Sequence, residues 1–151
     1  MATPALFAPF AISASALTAE RLRMDVIANN IANANTTRTL EGGPYTRMRA
    51  VFAPRFDASK EFAPLLSTMT KDGVPMGVRV TSIQKDNTPP RRVFDPGHPD
   101  ADADGYVMMP NVNVVNEMVD LISASRAYEA NVTAMNAAKS MALKALDIGR
   151  I

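Results

Sequence analysis

The sequence predicts an α+β fold, with long N- and C-terminal helices forming a coiled-coil-like pair and a small central β subdomain. Three observations carry this reading. Proline occurs at Pro4 and Pro9, is absent until Pro44, recurs up to Pro110 and is absent afterwards. Glycine keeps to the same central stretch apart from Gly149. Both Pro-free flanks repeat apolar residues every seven positions. Proline breaks helix interiors and glycine destabilises them, so the punctuation reads helix, irregular or β centre, helix. At 151 residues and 47% hydrophobic content, the chain is the size of one ordinary domain.

The first helix is expected from about Phe10 to Asn33. Phe10, Leu17, Met24 and Ile31 form a seven-residue series, with Ala14, Ile27, Ala28 and Ala34 beside it on one face. The second helix is expected from about Asn116 to Ile148, with Gly149 as a plausible stop. Met118, Ser125, Val132, Lys139 and Leu146 form one series; Leu121, Tyr128, Met135, Ala142 and Gly149 form its complement. At 1.5 Å per residue the two helices span roughly 37 and 50 Å.

Between them, Tyr45–Phe52 (YTRMRAVF) is a candidate strand, and Val78–Ile83 alternates over part of its length. Asp72-Gly73, Asp104-Gly105, Pro89-Pro90 and Asp95-Pro96-Gly97 punctuate the centre as turns. One pairing of the two helices covers only part of their apolar surface, because Leu22, Val26, Ile122, Met141 and Leu143 lie off the main seams. Two resolutions stay open: a multi-subunit bundle whose neighbours cover the other faces, or a single-chain hairpin folded on the β subdomain.

Composition excludes several classes. Lys+Arg 16 against Asp+Glu 15 lacks the basic surplus of a nucleic-acid binder. Zero Cys excludes disulfides, thiol nucleophiles and thiolate metal sites. No stretch approaches 18 uncharged apolar residues, so a transmembrane helix is not expected. The start is apolar and Ala14-Ser15-Ala16 has the form of a cleavage site. Yet no Lys or Arg precedes Arg21, and Pro4 and Pro9 interrupt the run, so a cleaved secretory signal is disfavoured.

The chemistry candidates are weak. Asp100, Asp102, Asp104 and Gly105 open like a Ca²⁺ loop, but the twelfth position is Asn111 instead of Glu, and Pro99 and Pro110 stand where helices belong. A solvated acidic turn is the better reading. His98, the one histidine, sits in Gly-His-Pro with no Cys or second His nearby and reads as a loop residue. There is no phosphate loop, G-x-S-x-G or HExxH. No cofactor, catalytic residue or small-molecule substrate is expected.

One local sequence is unusual: Asn29, Asn30, Asn33 and Asn35 fall within seven residues. Asn is a mediocre helix former because its side chain competes for backbone hydrogen bonds. The cluster is either a fraying, Asn-capped helix end or a set of buried amides bonding across a helix–helix interface, with Asn131 and Asn136 as possible partners.

These residues carry a resemblance. LTAERLRMDVIANNIANANT at residues 17–36 resembles the N-terminal signature of bacterial flagellar axial proteins, the rod and hook subunits. GVRV at 77–80, PDADADGYV at 99–107 and PNVN at 110–113 are similar to the C-type proximal rod subunits of that family, as are EMVDLI at 117–122 and SRAYEAN at 125–131. The likeness covers nearly the whole chain. It implies a non-enzymatic structural subunit of the basal-body rod, the drive shaft of the flagellum. Such a subunit polymerises through its terminal helices, transmits torque and lines the export channel. It implies three parts: residues 1–40 and 112–151 as the helical rod core domain, and 41–111 as a central β-rich subdomain. It implies as partners other rod subunits and the chain itself, the basal-body ring and rod-adaptor proteins, and the flagellar type III export gate. The expected location is the periplasmic rod, reached without signal cleavage.

Under that resemblance, the assembly residues on the first helix are Leu17, Met24, Ile27, Asn29, Asn30, Ile31, Asn33 and Asn35. On the second they are Met118, Leu121, Ser125, Tyr128, Val132, Met135, Ala142 and Leu146. Phe52 and Phe56 resemble a spaced-Phe export-gate motif, against the alternative that both rings pack in the β subdomain. The other functional readings are another rod-family subunit or a non-enzymatic helical-hairpin adaptor that binds a partner reversibly.

Overall fold

The computed structural model describes residues 8–55 and 77–148. The described elements are α1 (Ala8–Ala32), β1 (Met48–Pro54), β2 (Val78–Lys85), β3 (Arg91–Phe94), β4 (Tyr106–Met109) and α2 (Val114–Ile148). The α+β architecture expected from the proline pattern is present, with a helix at each end and two two-stranded sheets between them.

The helix α1 occupies the expected stretch, and α2 begins two residues earlier than Asn116. The cause is a cap. Asn113 Oδ1 accepts hydrogen bonds from the Val115 and Asn116 amides at 3.0 and 3.3 Å, satisfying donors that the helix cannot. The 35 residues of α2 span about 52 Å.

The first sheet pairs β1 with β2. Asp86 N donates to Arg47 O at 2.8 Å at one end, and Arg55 N donates to Gly77 O at 2.8 Å at the other, so the strands run antiparallel. The strand β1 starts at Met48 instead of Tyr45 because Tyr45 N donates to Thr36 O, which closes the preceding loop. The strand β2 continues past Ile83 to Lys85. Two further strands were not visible to sequence patterning: β3 and β4 pair antiparallel with Phe94 opposite Tyr106 and Arg91 opposite Met109. Each has four residues, too few for a period-2 signal. Asp95 N donates to Gly105 O at 2.9 Å to close this hairpin, and Gly105 adopts φ +78°, a conformation few other residues tolerate.

By contacts the chain divides into two compact units. One is Met1–Arg21, Phe52–Thr81 and Ser125–Ile151; the other is Leu22–Val51 and Ser82–Ala124. Among described residues the second unit buries Val26, Ile27, Asn30, Ala34, Tyr45, Val107, Glu117 and Ala124, and the first buries Ser13, Ala19 and Ala138. The first also holds a tether: Val78 N donates to Ser15 Oγ at 3.1 Å, beside Gly77 at φ +114°. No described helix is long and apolar enough to cross a membrane.

The acidic turn has its own fastenings. Asp102 N donates to Tyr106 O at 2.8 Å, and Asp100 Oδ2 accepts from Thr37 Oγ1 at 2.8 Å. His98 Nδ1 accepts from the Asp100 amide at 3.1 Å, which is a local loop role.

Candidate assembly site

The second unit is organised around Asn30, which is 1% exposed. An amide side chain has two donor hydrogens and two acceptor lone pairs, and here all four are used. Asn30 Nδ2 donates to Met48 O at 2.8 Å and Glu117 Oε2 at 3.0 Å. Asn30 Oδ1 accepts from Met48 N and from the Tyr45 hydroxyl, both at 2.9 Å. The Met48 backbone presents an N–H and a C=O together, which decides which end of the amide faces which. One side chain on α1 thereby joins β1, the loop before it and α2.

Glu117, also 1% exposed, is the second node. Its Oε1 accepts from Arg47 Nε at 2.6 Å, a charge-assisted bond. Arg47 Nη2 lies 3.5 Å from Asp120 and Nη1 lies 3.6 Å from Asp86. Burial pulls the Arg47 pKa down, but the Glu117 hydrogen bond and the charges of Glu117, Asp120 and Asp86 outweigh it and push the net value up. Burial, helped by the Glu117 charge, raises the Tyr45 phenol. Arg23 on α1 meets Asp120 at 3.9 Å. Since Arg23 pairs with Asp120 and Asn30 with Glu117, the two helices run antiparallel through this junction. Asn111 finishes it: its Oδ1 accepts from Arg47 N at 2.9 Å, and its Nδ2 donates to Thr88 O at 3.1 Å.

The asparagine cluster therefore divides. Asn30 makes the buried crossing, while Asn33 donates to Asn29 O and Oδ1 at 2.9 and 2.7 Å at the helix end. Asn29 and Asn35 are exposed. The suggested partners on α2 are corrected: Asn131 donates to Ala127 O on its own helix, and Asn136 is exposed. The partners of Asn30 are Glu117, Tyr45 and Met48. Patterning passed over Glu117 because an acid in the first turn of a helix reads as compensation of the helix dipole.

The helix faces also differ from the periodic reading. On α1, Ile27 is buried and Leu17, Met24 and Ile31 are half-buried, but Ala14 and Ala28 are exposed. On α2, the inward rows are Glu117, Ala124, Asn131 and Ala138 together with Leu121, Tyr128, Met135 and Ala142. Ser125 is half-buried, whereas Met118, Val132 and Leu146 are exposed. The series starting at Met118 faces outward because the series starting at Glu117, one residue away and about 100° round the helix, takes the inner position. Val115, Val119, Ile122, Met141, Leu143 and Ile148 are further exposed apolar residues of α2. Phe52 is half-buried on β1, and Phe56 lies outside the described residues.

Two helices fastened through buried polar bonds at one junction, with large apolar side chains of α2 left in solvent, define an assembly subunit more readily than a site for a small substrate. Family comparison agrees. Residues 10–38 match the model "Flagella basal body rod protein", and residues 103–148 match "Flagellar basal body rod FlgEFG protein C-terminal". Both matches fall on the helical ends, so the class is that of flagellar basal-body rod proteins. The flagellar basal-body rod protein FlgC of Borreliella burgdorferi is 52% identical over 147 residues, covering 95% of this chain and 97% of the relative. FlgC of Bacillus subtilis is 47% identical, covering 92% and 95%, and FlgC of Salmonella typhimurium is 44% identical, covering 97% and 99%. The chain belongs to the FlgC family of flagellar basal-body rod proteins. The names describe a structural component of the flagellum, not a catalyst.

Proposed function

We propose that the chain is a structural subunit of the proximal rod that polymerises through its terminal helices, transmits torque and lines the export channel. One observation carries this: in a single copy α2 leaves Met118, Val119, Ile122, Val132, Met141, Leu143 and Leu146 exposed. An apolar face of that extent on a soluble monomer marks an interaction surface. The 52% identity to a basal-body rod protein over nearly the full chain says which assembly it serves.

In this reading, residues 1–40 and 112–151 are the rod core domain and 41–111 the β-rich subdomain between them. Leu17, Met24, Ile27 and Ile31 with Leu121, Ser125, Tyr128, Met135 and Ala142 serve the inner packing. Met118, Val132 and Leu146 face neighbouring subunits. Asn29, Asn33 and Asn35 set the end of α1, and Asn30 holds the junction. The partners are further copies, other rod subunits, and ring and rod-adaptor proteins. The type III export gate is the partner during export, with Phe52 and Phe56 as its contacts. The chain reaches the periplasmic rod without signal cleavage.

The test is direct. A tagged chain expressed in cells lacking their own copy should restore motility and copurify with intact basal bodies, with its N-terminal residues retained. A chain that restores nothing and stays in the cytoplasmic fraction is instead the reversible hairpin adaptor.

A further inference from the structure

The one histidine of the chain sits in the turn between β3 and β4, and assembly makes no use of it. Residues 95–105 fold on their own backbone. His98 N donates to Asp95 O at 3.2 Å, Ala101 N to His98 O at 3.1 Å and Gly105 N to Asp102 O at 2.8 Å. Pro96 and Pro99 flank Gly97-His98 and narrow the backbone's choices there. Within this frame the Asp100 amide donates to His98 Nδ1 at 3.1 Å. That nitrogen accepts only while it carries no proton, so the bond requires the neutral ring with its hydrogen on Nε2.

Among the described residues, Asp100 carries the polar contacts from this turn to another segment, the loop that follows α1. Its Oδ2 accepts from the Thr37 hydroxyl at 2.8 Å, and its Oδ1 lies 4.0 Å from the Arg38 guanidinium. The Arg38 side chain is 81% exposed, so solvent screens that pair and the Thr37 bond does most of the fastening. Asp100 is thus held at two points, its amide by His98 and its carboxylate by Thr37. All three residues are half-buried and belong to the same compact unit.

We infer that His98 is a pH-operated latch: its protonation breaks the bond from the Asp100 amide, draws the Asp100 carboxylate from Thr37 to the imidazolium, and frees the turn from the loop after α1. The charged ring carries an N–H on both nitrogens. Its Nδ1–H would then point at the Asp100 N–H, donor against donor, so the ring turns away. Charge decides what it meets. The charged groups on the segments joined here are Asp95 after β3, Asp100, Asp102 and Asp104 in the turn, and Arg38 in the loop after α1. Asp95 Oδ1 already accepts from the Gly97 amide, and Asp102 and Asp104 are exposed. The half-buried Asp100 carboxylate, two residues from the ring, is the acceptor that remains. A charge-assisted bond is about twice as strong as a neutral one, so the imidazolium displaces the Thr37 hydroxyl. Histidine ordinarily changes charge between about pH 5 and 8, which places the response in a mild range. The Asn30–Glu117 junction uses none of these residues, so opening moves the turn and leaves the helices fastened. Every group of the latch belongs to one copy, so it stands or falls apart from the subunit reading.

Nitrogen NMR of the full-length chain, titrated from alkaline to mildly acid pH, tests the latch. At the alkaline end the ring should be the Nε2–H tautomer, and the Asp100 amide nitrogen should show scalar coupling to His98 Nδ1 through the hydrogen bond. On acidification the coupling should vanish with the midpoint of the His98 ring itself. The nuclear Overhauser contacts between Thr37 and Asp100 should disappear at that same midpoint. Protection of the Asp100 amide, corrected for the intrinsic pH dependence of exchange, should fall about tenfold, the scale of one hydrogen bond. His98→Asn keeps an acceptor for the amide two residues on, as in an Asx turn, without a group that titrates. It should hold the Thr37 contact through the whole range. The proposal is overturned by an Nδ1–H tautomer or an absent coupling at the alkaline end, or by a Thr37 contact that survives protonation of His98. It is equally overturned if that contact is lost only in the carboxylate range near about pH 4, or if the step persists in His98→Asn.

Discussion

The two halves of α2 have similar helical character and different anchorage. Over Val114–Ala124, side chains bond to distant segments: Glu117 to Asn30 and Arg47, Asp120 to Arg23 and Arg47. Over Ser125–Ile148, Asn131, Thr133 and Ser140 each donate to a carbonyl four residues back on the same helix. Such back-bonding adds nothing to tertiary structure. The first half is therefore specified within one subunit. The second leaves Met141, Leu143, Leu146 and Ile148 exposed. One sequence pattern can thus run through a stretch of helix bonded to distant segments and a stretch bonded, among the described residues, to its own carbonyls.

The contrast is broken most strongly at Glu117. Glu117→Ala leaves Arg47 without its shortest bond and one Asn30 hydrogen unsatisfied in a buried site. Removing one partner of a buried pair costs about 3–5 kcal/mol. Urea denaturation of the purified chain should show that loss. Hydrogen exchange should be slow over 114–124 and faster over 125–148 in the unmodified chain, and Glu117→Ala should erase the difference. Equal protection along all of α2 before mutation would refute the contrast.

Gly77→Ala tests a tether that needs neither half of the junction. A Cβ there would run into Ser15 Oγ, and φ +114° strains any L side chain. The expected cost is about 1–3 kcal/mol, with the Val78–Ser15 bond loosened. A crystal or solution structure retaining that bond unshifted would contradict this.

Tyr45 provides the pH arm. Burial and the Glu117 charge raise its folded pKa above 10.0, while the unfolded phenol ionises at its ordinary value. Above pH 10 the unfolded state therefore holds fewer protons than the folded one, and stability falls as pH rises. Tyr45→Phe should remove this alkaline limb and cost about 1 kcal/mol at neutral pH through loss of the bond to Asn30. Denaturation midpoints measured from pH 8 to 11 check both. An alkaline limb that persists in Tyr45→Phe assigns the effect elsewhere.

The smallest effect on the isolated chain should come from Val132→Asp, at a site 36% exposed: about 0.5 kcal/mol. Its effect on assembly should be the largest. A charge in an apolar contact costs several kcal/mol unless paired, and the defect recurs at each copy. Secretion and the melting curve should stay near normal while rods fail to complete and motility is lost; Lys144→Asp should be tolerated. Normal rods would remove Val132 from the interface.

Much of the fold was legible because it rests on local rules. Proline and glycine placement outlined the helices, and Asn113 can be read afterwards as the cap that moves the start of α2 to Val114. The strands β3 and β4 were not legible: Arg91-Arg92 does not look like a strand, and the hairpin is defined by pairing with a segment across the acidic turn. The cluster of Asn29, Asn30, Asn33 and Asn35 stood out as odd in a helix, either as a frayed cap or as buried amides, but nothing local marked Asn30 as the buried one. Its partners lie 15, 18 and 87 positions away, beyond any local window.

The seven-residue repeat determined by itself that α2 is a long helix with rows of like side chains. It did not determine which row turns inward, because rows starting at 117, 118 and 121 all repeat with the same period. Only the tertiary structure decided that. Burying the Glu117 row is favourable solely because Arg47 and Asn30 arrive to neutralise and bond the carboxylate. Without them the desolvation cost would turn Glu117 to solvent and bring Met118 in. The inward face is thus set by polar partners far along the chain, and hydrophobic patterning carries no record of where they lie.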